Sequence, residues 1–262
     1  MQYAIISVVA LVVSTLTLFS GFGLGTLLMP AFAIFFPVSV AVAATAVVHL
    51  ANNLFKIALI GKNADWKVTA LFAIPAAVFS VLGALLLNHL SNARPIVSYH
   101  IGGSEHEITA VKILISVLIA VFALLELLPT LRNVAIDRKY LPLGGVLSGF
   151  FGGLSGLQGA LRSAFLIKAG LTKEAYIATA ALSAVVVDVA RLIVYGLTFF
   201  AKNFSAVAGQ GITGLVIAGV VAAFIGSFVG VRLMKTVTMK AVQMTVGVLL
   251  LVTAALLATG LV

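Results

Sequence analysis

The sequence contains no cysteine, and only 9% of its 262 residues are charged. The absence of cysteine excludes disulfides, thiolate metal sites and cysteine nucleophiles. With a mean hydropathy of +1.24, the chain also has too few polar side chains to cover the surface of a soluble domain. These two absences predict an integral membrane protein, and its long apolar runs favour an all-α one.

Motifs of catalysis and metal binding are also lacking. No GxSxG, Walker A or HExxH pattern occurs, and no order of Ser, His and Asp places a nucleophile beside a base. We therefore expect no enzymatic activity, no cofactor and no metal. The net charge of +9 comes without a basic run interleaved with aromatic residues, so no nucleic-acid partner is expected. Residues 1–19 lack a basic n-region and a small-residue cleavage site, and we expect them to be retained as structure.

Apolar runs long enough to cross a bilayer, which takes about 20 helical residues, occur at 38–60, 68–90, 108–131, 174–200, 210–231 and 239–260. Two further apolar stretches are interrupted. Residues 3–36 contain SGFGLGTLLMP (Ser20–Pro30), and residues 142–170 contain SGFFGGLSGLQG (Ser148–Gly159). Both sequences predict a broken helix, which membranes tolerate only where the backbone lines a cavity or is buried in protein. Close helix packing by small residues is the alternative.

The two interrupted stretches align with each other. With Gly25 over Gly159, GTLLMPAFAIF pairs with GALRSAFLIKA, and one residue of adjustment then places Asn53 over Asp188. Further on, SVLGALLL resembles AFIGSFVG. This order of features predicts an internal duplication, with repeats at 1–131 and 139–262 that together form one transmembrane domain.

The basic residues distinguish two topologies. If each interrupted stretch crosses the membrane once, the loop and helix-end charges divide six against seven; if each is a re-entrant hairpin, they divide ten against three. Because basic loops are retained in the cytoplasm, hairpins are favoured over eight ordinary spans. Each repeat is then a hairpin plus three spans, and the two repeats are inverted, as in many transporters. We expect both termini outside the cytoplasm and loops 61–67, 132–141 and 232–240 inside it.

Three basic residues, Lys56, Arg162 and Arg191, lie inside apolar segments, where a charge needs a partner or a purpose. Arg162 follows the second break and is expected near the N-terminus of a half-helix, whose free N–H groups favour an anion. Together with Gln158 and Ser163, its forked guanidinium predicts an oxyanion site. The alternative is a structural pairing of Arg162 with Glu126 or Asp188.

Polar residues also follow two repeat-related helices. Asp188 and Arg191 are three residues apart and form either a structural pair or a gating or proton-coupling site. His49 is a candidate proton carrier, with helix packing as the alternative. The asparagines beside it either bond to neighbouring helices or bind substrate. The candidate substrate-binding residues are therefore Arg162, Gln158, Ser163, Asn52, Asn53, Lys56, Gly25 and Gly159, and the candidate coupling or gating residues are Asp188, Arg191 and His49.

Three segments, GFGLGTLLMPAFAIFFP, AVAATAVVHLANNLFKIALIG and GLSGLQGALRSAFLIKAGLTKEAYIATAALSAVVVDVARLIVYG, resemble the two repeat motifs of the sulfite exporter TauE/SafE family. The resemblance covers nearly the whole chain. In the second motif Ser163 or Ala164 takes the place that Pro30 has in the first, and Arg162 precedes it.

This resemblance implies a secondary transporter in a bacterial or archaeal inner membrane that moves small sulfur-containing anions, such as sulfite or organosulfonates. Coupling to protons or another ion gradient is expected. The alternatives are an anion channel and a membrane-embedded scaffold or assembly subunit. The expected partners are a small anionic substrate and the lipid bilayer, and a homodimer is a further arrangement to consider.

Overall fold

A computed structural model of the chain describes residues 1–20, 24–128, 135–200, 211–233 and 239–262. The helices of these residues are α1 (Gln2–Ser20), α2 (Leu24–Ala33), α3 (Val38–Ile60), α4 (Trp66–Ser91), α5 (Ala110–Leu127), α6 (Leu141–Ser155), α7 (Gly159–Leu166), α8 (Lys173–Tyr195), α9 (Ile212–Leu233) and α10 (Met239–Ala258). Short 3₁₀ turns at Gly61–Asn63 and Arg138–Tyr140 precede α4 and α6, and a π-helical turn at Gly196–Phe200 follows α8.

The helices have the lengths of a membrane domain. Among the described residues, four segments are long and apolar enough to cross a bilayer: Val38–Asn63, Trp66–Ser91, Lys173–Thr198 and Ile212–Gly230. Large apolar side chains such as Ile74 and Ile193 are exposed on the outer faces of these helices, as lipid contact requires. The predicted all-α membrane architecture is therefore confirmed.

Both helix breaks are shorter than the sequence predicts. Helix α2 begins at Leu24 and continues through Pro30, so the break does not extend over Ser20–Pro30. Helix α6 continues to Ser155, and α7 begins at Gly159, so the second break is not Ser148–Gly159 but only the three residues between these helices. The proline is tolerated in a half-helix whose residues are all buried.

The glycines inside α6 serve close packing. A Cβ atom at Gly149 would lie 2.1 Å from the carbonyl oxygen of Ala76, and one at Gly153 would lie 2.0 Å from that of Ser80. Any larger residue would push α6 away from α4. The packing alternative is thus the right one for these glycines, and Gly156 alone adopts the left-handed conformation that ends the helix, with φ +83°.

The second interrupted stretch is a helical hairpin. The N–H of Ile136, ahead of α6, donates to the carbonyl of Ala164 near the end of α7 at 2.9 Å. Arg138 Nη1 donates to the carbonyl of Ala169 at 3.1 Å. The end of α7 therefore lies beside the start of α6, and the chain returns to the side from which it entered. Helix α2 likewise packs on α1.

Helix pairs of the two halves correspond. Helix α4 packs on α6, and α1 packs on α9. A Cβ atom at Gly83 of α4 would lie 2.1 Å from the carbonyl oxygen of Phe150, and one at Gly226 of α9 would lie 2.2 Å from that of Leu11. These two glycines are equivalent in the alignment of SVLGALLL with AFIGSFVG. The correspondence supports the duplication, which stays a prediction.

The direction of the helices also bears on the topology. The N–H of Asp65, beyond the end of α3, donates to Thr179 Oγ1 near the start of α8 at 3.0 Å. At the other end of the molecule, Lys112 Nζ near the start of α5 donates to the carbonyl of Gly260, beyond the end of α10, at 3.4 Å. Thus α3 and α8 run antiparallel, as do α5 and α10. A single crossing by α6 and α7 would make both pairs parallel.

The hairpin topology predicts which loops share a side of the membrane. We expect Asn63→Cys and Lys168→Cys to react with an impermeant thiol reagent from one side, and Glu105→Cys from the other. All three positions are exposed, and the chain has no native cysteine to remove. The measurement is labelling of intact cells against inside-out vesicles. Labelling of Asn63→Cys and Lys168→Cys from opposite sides would restore the eight-span topology.

A β-hairpin lies between α4 and α5, in a segment that falls outside the apolar runs of the sequence. Strands β1 (Val97–Ile101) and β2 (Ser104–Ile108) pair antiparallel across a two-residue turn. Gly102 and Gly103 both have positive φ, of 61° and 81°, as a type I′ turn requires. The Tyr99 hydroxyl donates to the carbonyl of Thr259 beyond α10, so the hairpin rests on the end of that helix.

Candidate functional site

The start of α2 meets the turn between α6 and α7. A Cβ atom at Gly25, the second residue of α2, would lie 3.1 Å from the carbonyl oxygen of Gly156 and 3.6 Å from the Thr45 methyl group. The start of one half-helix therefore packs against the turn between α6 and α7, with α3 alongside. We refer to the meeting of Gly25, Thr45 and Gly156 as the junction.

Asp188 on α8 is the centre of a buried polar network. Its carboxylate accepts hydrogen bonds from His49 Nδ1 at 2.6 Å, from Gln158 Nε2 at 3.1 Å, and from Arg191 Nε at 3.0 Å and Nη2 at 2.6 Å. Asp188 is 0% exposed, and a buried carboxylate is stable only when it is paired and bonded in this way. The network joins α3, α8 and the turn before α7.

Arg191 has the bonds of a structural residue. Besides the two bonds to Asp188, its Nη1 donates to the carbonyl of Gly152 at 2.8 Å, and the neighbouring Tyr195 hydroxyl donates to the carbonyl of Gly153. A cation at the C-terminal end of α6 is also favourable for the helix dipole. The predicted pair of Asp188 and Arg191 is present, and all three guanidinium nitrogens of Arg191 are used.

Arg162 on α7 differs in this respect. It is 7% exposed, and its Nη1 donates to Gln158 Oε1 at 3.1 Å. Within the described residues its Nε has no hydrogen-bond partner. Gln158 stands at the N-cap position without capping the helix, because its amide bridges Arg162 and Asp188. The side chain of Glu126, the other structural partner considered for Arg162, lies outside the described residues.

Gly159, Arg162 and Ser163 lie at the start of α7, where the sequence predicts them. Gly159 is the first residue of α7, and Arg162 is the fourth. Ser163 is half-buried next to it. The Ser148 hydroxyl of α6, which sequence reasoning did not single out, donates to the carbonyl of Gln158 at 3.0 Å. This bond fixes the residue that orients Arg162.

On α3, the neighbouring side chains of Asn52 and Asn53 differ in their hydrogen bonds. Asn53 Nδ2 donates back to the His49 carbonyl at 2.9 Å, so Asn53 has a local role. Asn52 Oδ1 accepts from the Ser227 hydroxyl of α9 at 2.8 Å, while its Nδ2 has no partner among the described residues. Lys56 lies one turn further along and is half-buried.

Charge is unbalanced at this site. Arg162 lies close enough to Lys56 for the two cations to repel each other. Two buried arginines, Arg162 and Arg191, lie near the one carboxylate of Asp188, and Lys56 adds a third cation on the side of Arg162. The unpaired donors Thr45 Oγ1, Asn52 Nδ2 and Arg162 Nε are buried as well, and each unmade bond costs about 1–3 kcal/mol. A bound oxyanion would balance the excess positive charge and would accept hydrogen bonds from these donors.

One comparison with known proteins identifies a match. The family model described as sulfite exporter TauE/SafE matches residues 6–257, which include α2, the α6–α7 hairpin and every site residue named above. No curated protein and no solved structure matches the chain.

Proposed function

The chain belongs to the sulfite exporter TauE/SafE family, and we propose that it is a secondary transporter of small sulfur-containing oxyanions, such as sulfite or organosulfonates. Family membership makes it a multi-pass membrane transporter. The identity of the anion, the coupling to an ion gradient and the location in a bacterial or archaeal inner membrane belong to the proposal.

One observation carries this proposal: Arg162, a buried cation whose Nε has no hydrogen-bond partner among the described residues, follows directly on the turn that packs against the start of α2. Arg162 and Lys56 have no acidic partner that bonds to them among the described residues. An anion that leaves water must replace its hydration by donors and positive charge. Arg162 would supply the positive charge, and the unpaired donors of Thr45, Asn52 and Arg162 would supply the hydrogen bonds.

In the proposed complex, Arg162 is the principal anion ligand. Arg162 Nη1 donates to Gln158 Oε1, whereas Arg162 Nε has no partner among the described residues and can donate to the anion. Asn52 adds an amide donor, and Ser163 a hydroxyl. Gly25 is the second residue of α2 and Gly159 the first of α7, and the free backbone N–H groups of these first turns are proposed as further donors to the anion.

Coupling is proposed for the pair of His49 and Asp188. Histidine is the side chain that ordinarily titrates near neutral pH, and here it bonds to a carboxylate that also bonds to Gln158. A proton gained or lost at this pair changes the charge that acts on Gln158 and, through it, on Arg162. Arg191 donates to the Gly152 carbonyl near the end of α6. We therefore propose that it acts in gating indirectly, by holding the α6–α7 hairpin in place.

The test is anion flux into proteoliposomes that contain the purified protein. We expect sulfite or an organosulfonate to accumulate against its gradient when a pH gradient is imposed, and Arg162→Ala to abolish this accumulation. Protein-free liposomes are the control. Flux that only dissipates gradients would indicate an anion channel, and absence of flux for every anion of the panel would favour a scaffold subunit.

A further inference from the structure

The charges of the site influence which anions it binds most tightly. We propose, building on the proposed function, that the site selects doubly charged oxyanions over singly charged ones, and that Lys56 is the residue responsible for this preference. Three cations matter here, Arg191, Arg162 and Lys56, and they differ in whether a described acidic side chain pairs with them.

Arg191 and Asp188 neutralise each other. The guanidinium makes two bonds to the carboxylate and uses its third nitrogen on the Gly152 carbonyl. Neither group therefore attracts a further ion strongly. In its neutral form His49 adds a hydrogen bond to Asp188 without a charge. The charges that remain for a ligand are those of Arg162 and Lys56.

These two cations approach the site from different helices. Arg162 lies on α7 and reaches it through Gln158. Lys56 lies on α3, four residues after Asn52 and seven after His49, and hence on the helix face that carries the network. Within the described part of the chain no acidic side chain forms an ion pair with either of them. The two repel each other until an anion lies near both.

The charge of the ligand then decides its affinity. The cost of removing an ion from water rises with the square of its charge, whereas its attraction to the site rises in direct proportion to its charge. A site with a single cation therefore selects monoanions. With two uncompensated cations the site can offset the larger dehydration cost of a dianion, and a monoanion leaves one cation unsatisfied.

The experiment compares oxyanions of similar size on the purified full-length protein. Sulfate and thiosulfate serve as dianions and methanesulfonate as the monoanion, measured by calorimetry at one pH and constant ionic strength. We expect the wild type to bind the dianions at least about tenfold more tightly than methanesulfonate. The loss of one charge-assisted bond should lower the dianion affinity of Lys56→Gln by roughly 10-fold to 100-fold, with less than about threefold change for methanesulfonate.

Matched variants separate charge from folding. Lys56→Arg keeps the positive charge and should keep the preference, whereas Lys56→Met, which suits an apolar helix, should lose it as Lys56→Gln does. Lys67→Gln removes an equal charge from an exposed position on the first turn of α4 and should change neither affinity.

The outcomes distinguish the two proposals. Equal affinity of the wild type for sulfate and methanesulfonate, or an equal loss of both in Lys56→Gln, would overturn the charge preference and leave anion transport intact. Tight binding of methanesulfonate without any binding of dianions would overturn it as well. If the wild type binds neither class, the proposed transport function fails together with this inference.

Discussion

Asp188→Asn is expected to lower the free energy of unfolding by about 3 kcal/mol or more, because it leaves the buried guanidinium of Arg191 without its counter-charge. Asparagine is isosteric, but its single amide oxygen can accept only two hydrogen bonds, whereas the wild-type carboxylate accepts four. The measurement is thermal or denaturant unfolding of the purified variant in detergent. A loss below about 0.5 kcal/mol would contradict the central place of Asp188.

Two further variants separate the charge of Asp188 from its bonds. In Asp188→Asn/Arg191→Gln the uncompensated cation is gone, so we expect part of the lost stability to return, as a double-mutant cycle detects for coupled groups. Asp65→Asn is the control for the same chemical change elsewhere. Asp65 Oδ1 caps α4 by accepting from the Val68 N–H, and asparagine caps a helix equally well, so stability should hardly change.

The same double variant tests the proposed coupling. If the pair of His49 and Asp188 carries protons, the folded double variant should still bind the anion but no longer accumulate it in response to a pH gradient. Normal pH-driven accumulation in proteoliposomes would eliminate the coupling role. In that case the role of Asp188 is purely structural, namely to join α3 to α8.

Local spacing in the sequence predicts those parts of the site that lie on one helix. The pair of Asp188 and Arg191 follows from their i, i+3 separation, and the position of Arg162 in the first turns of a half-helix follows from the preceding break. The helices themselves follow from runs of apolar residues. In each of these cases the responsible interactions lie within a few residues of one another.

Contacts between distant segments were not predictable in the same way. His49 and Asp188 are 139 residues apart, and helix packing was an equally open interpretation of His49. The signal lay in the alignment of the two halves, which places the polar part of α3 over that of α8. The bridge made by Gln158 has no such signal, because it depends on the exact turn between α6 and α7.

Glycines illustrate why the breaks were predicted too long. The sequence shows where a side chain is missing but not whether the space is needed for a turn or for a neighbouring helix. Gly156 has the positive φ of a turn, whereas Gly149 and Gly153 remain helical and admit the backbone of α4. Only the partner helix, which is remote in sequence, distinguishes these uses. The β-hairpin was not predicted, because residues 97–108 are a short segment outside the apolar runs from which the helices follow.

Arg162→Ala is expected to lose most of the anion affinity, roughly tenfold or more, because charge-assisted hydrogen bonds contribute about 1.5–3 kcal/mol each. The alanine variant removes a charge and the free Nε donor, and it releases Gln158 from its bond to Nη1. Arg162→Lys keeps the charge but loses the planar fork, so its affinity should lie between those of the wild type and the alanine variant. The measurement is calorimetry with sulfite or an organosulfonate on folded protein.

Arg138→Ala provides the matched control for this loss. Arg138 lies at the base of the same hairpin, is exposed, and makes one bond to the Ala169 carbonyl, so its removal deletes an arginine and a hydrogen bond without touching the junction. Anion affinity should stay unchanged. If Arg162→Ala also binds with wild-type affinity, Arg162 is structural, and the anion must be held by Asn52 and Lys56 on α3, whose substitution would then abolish binding by itself.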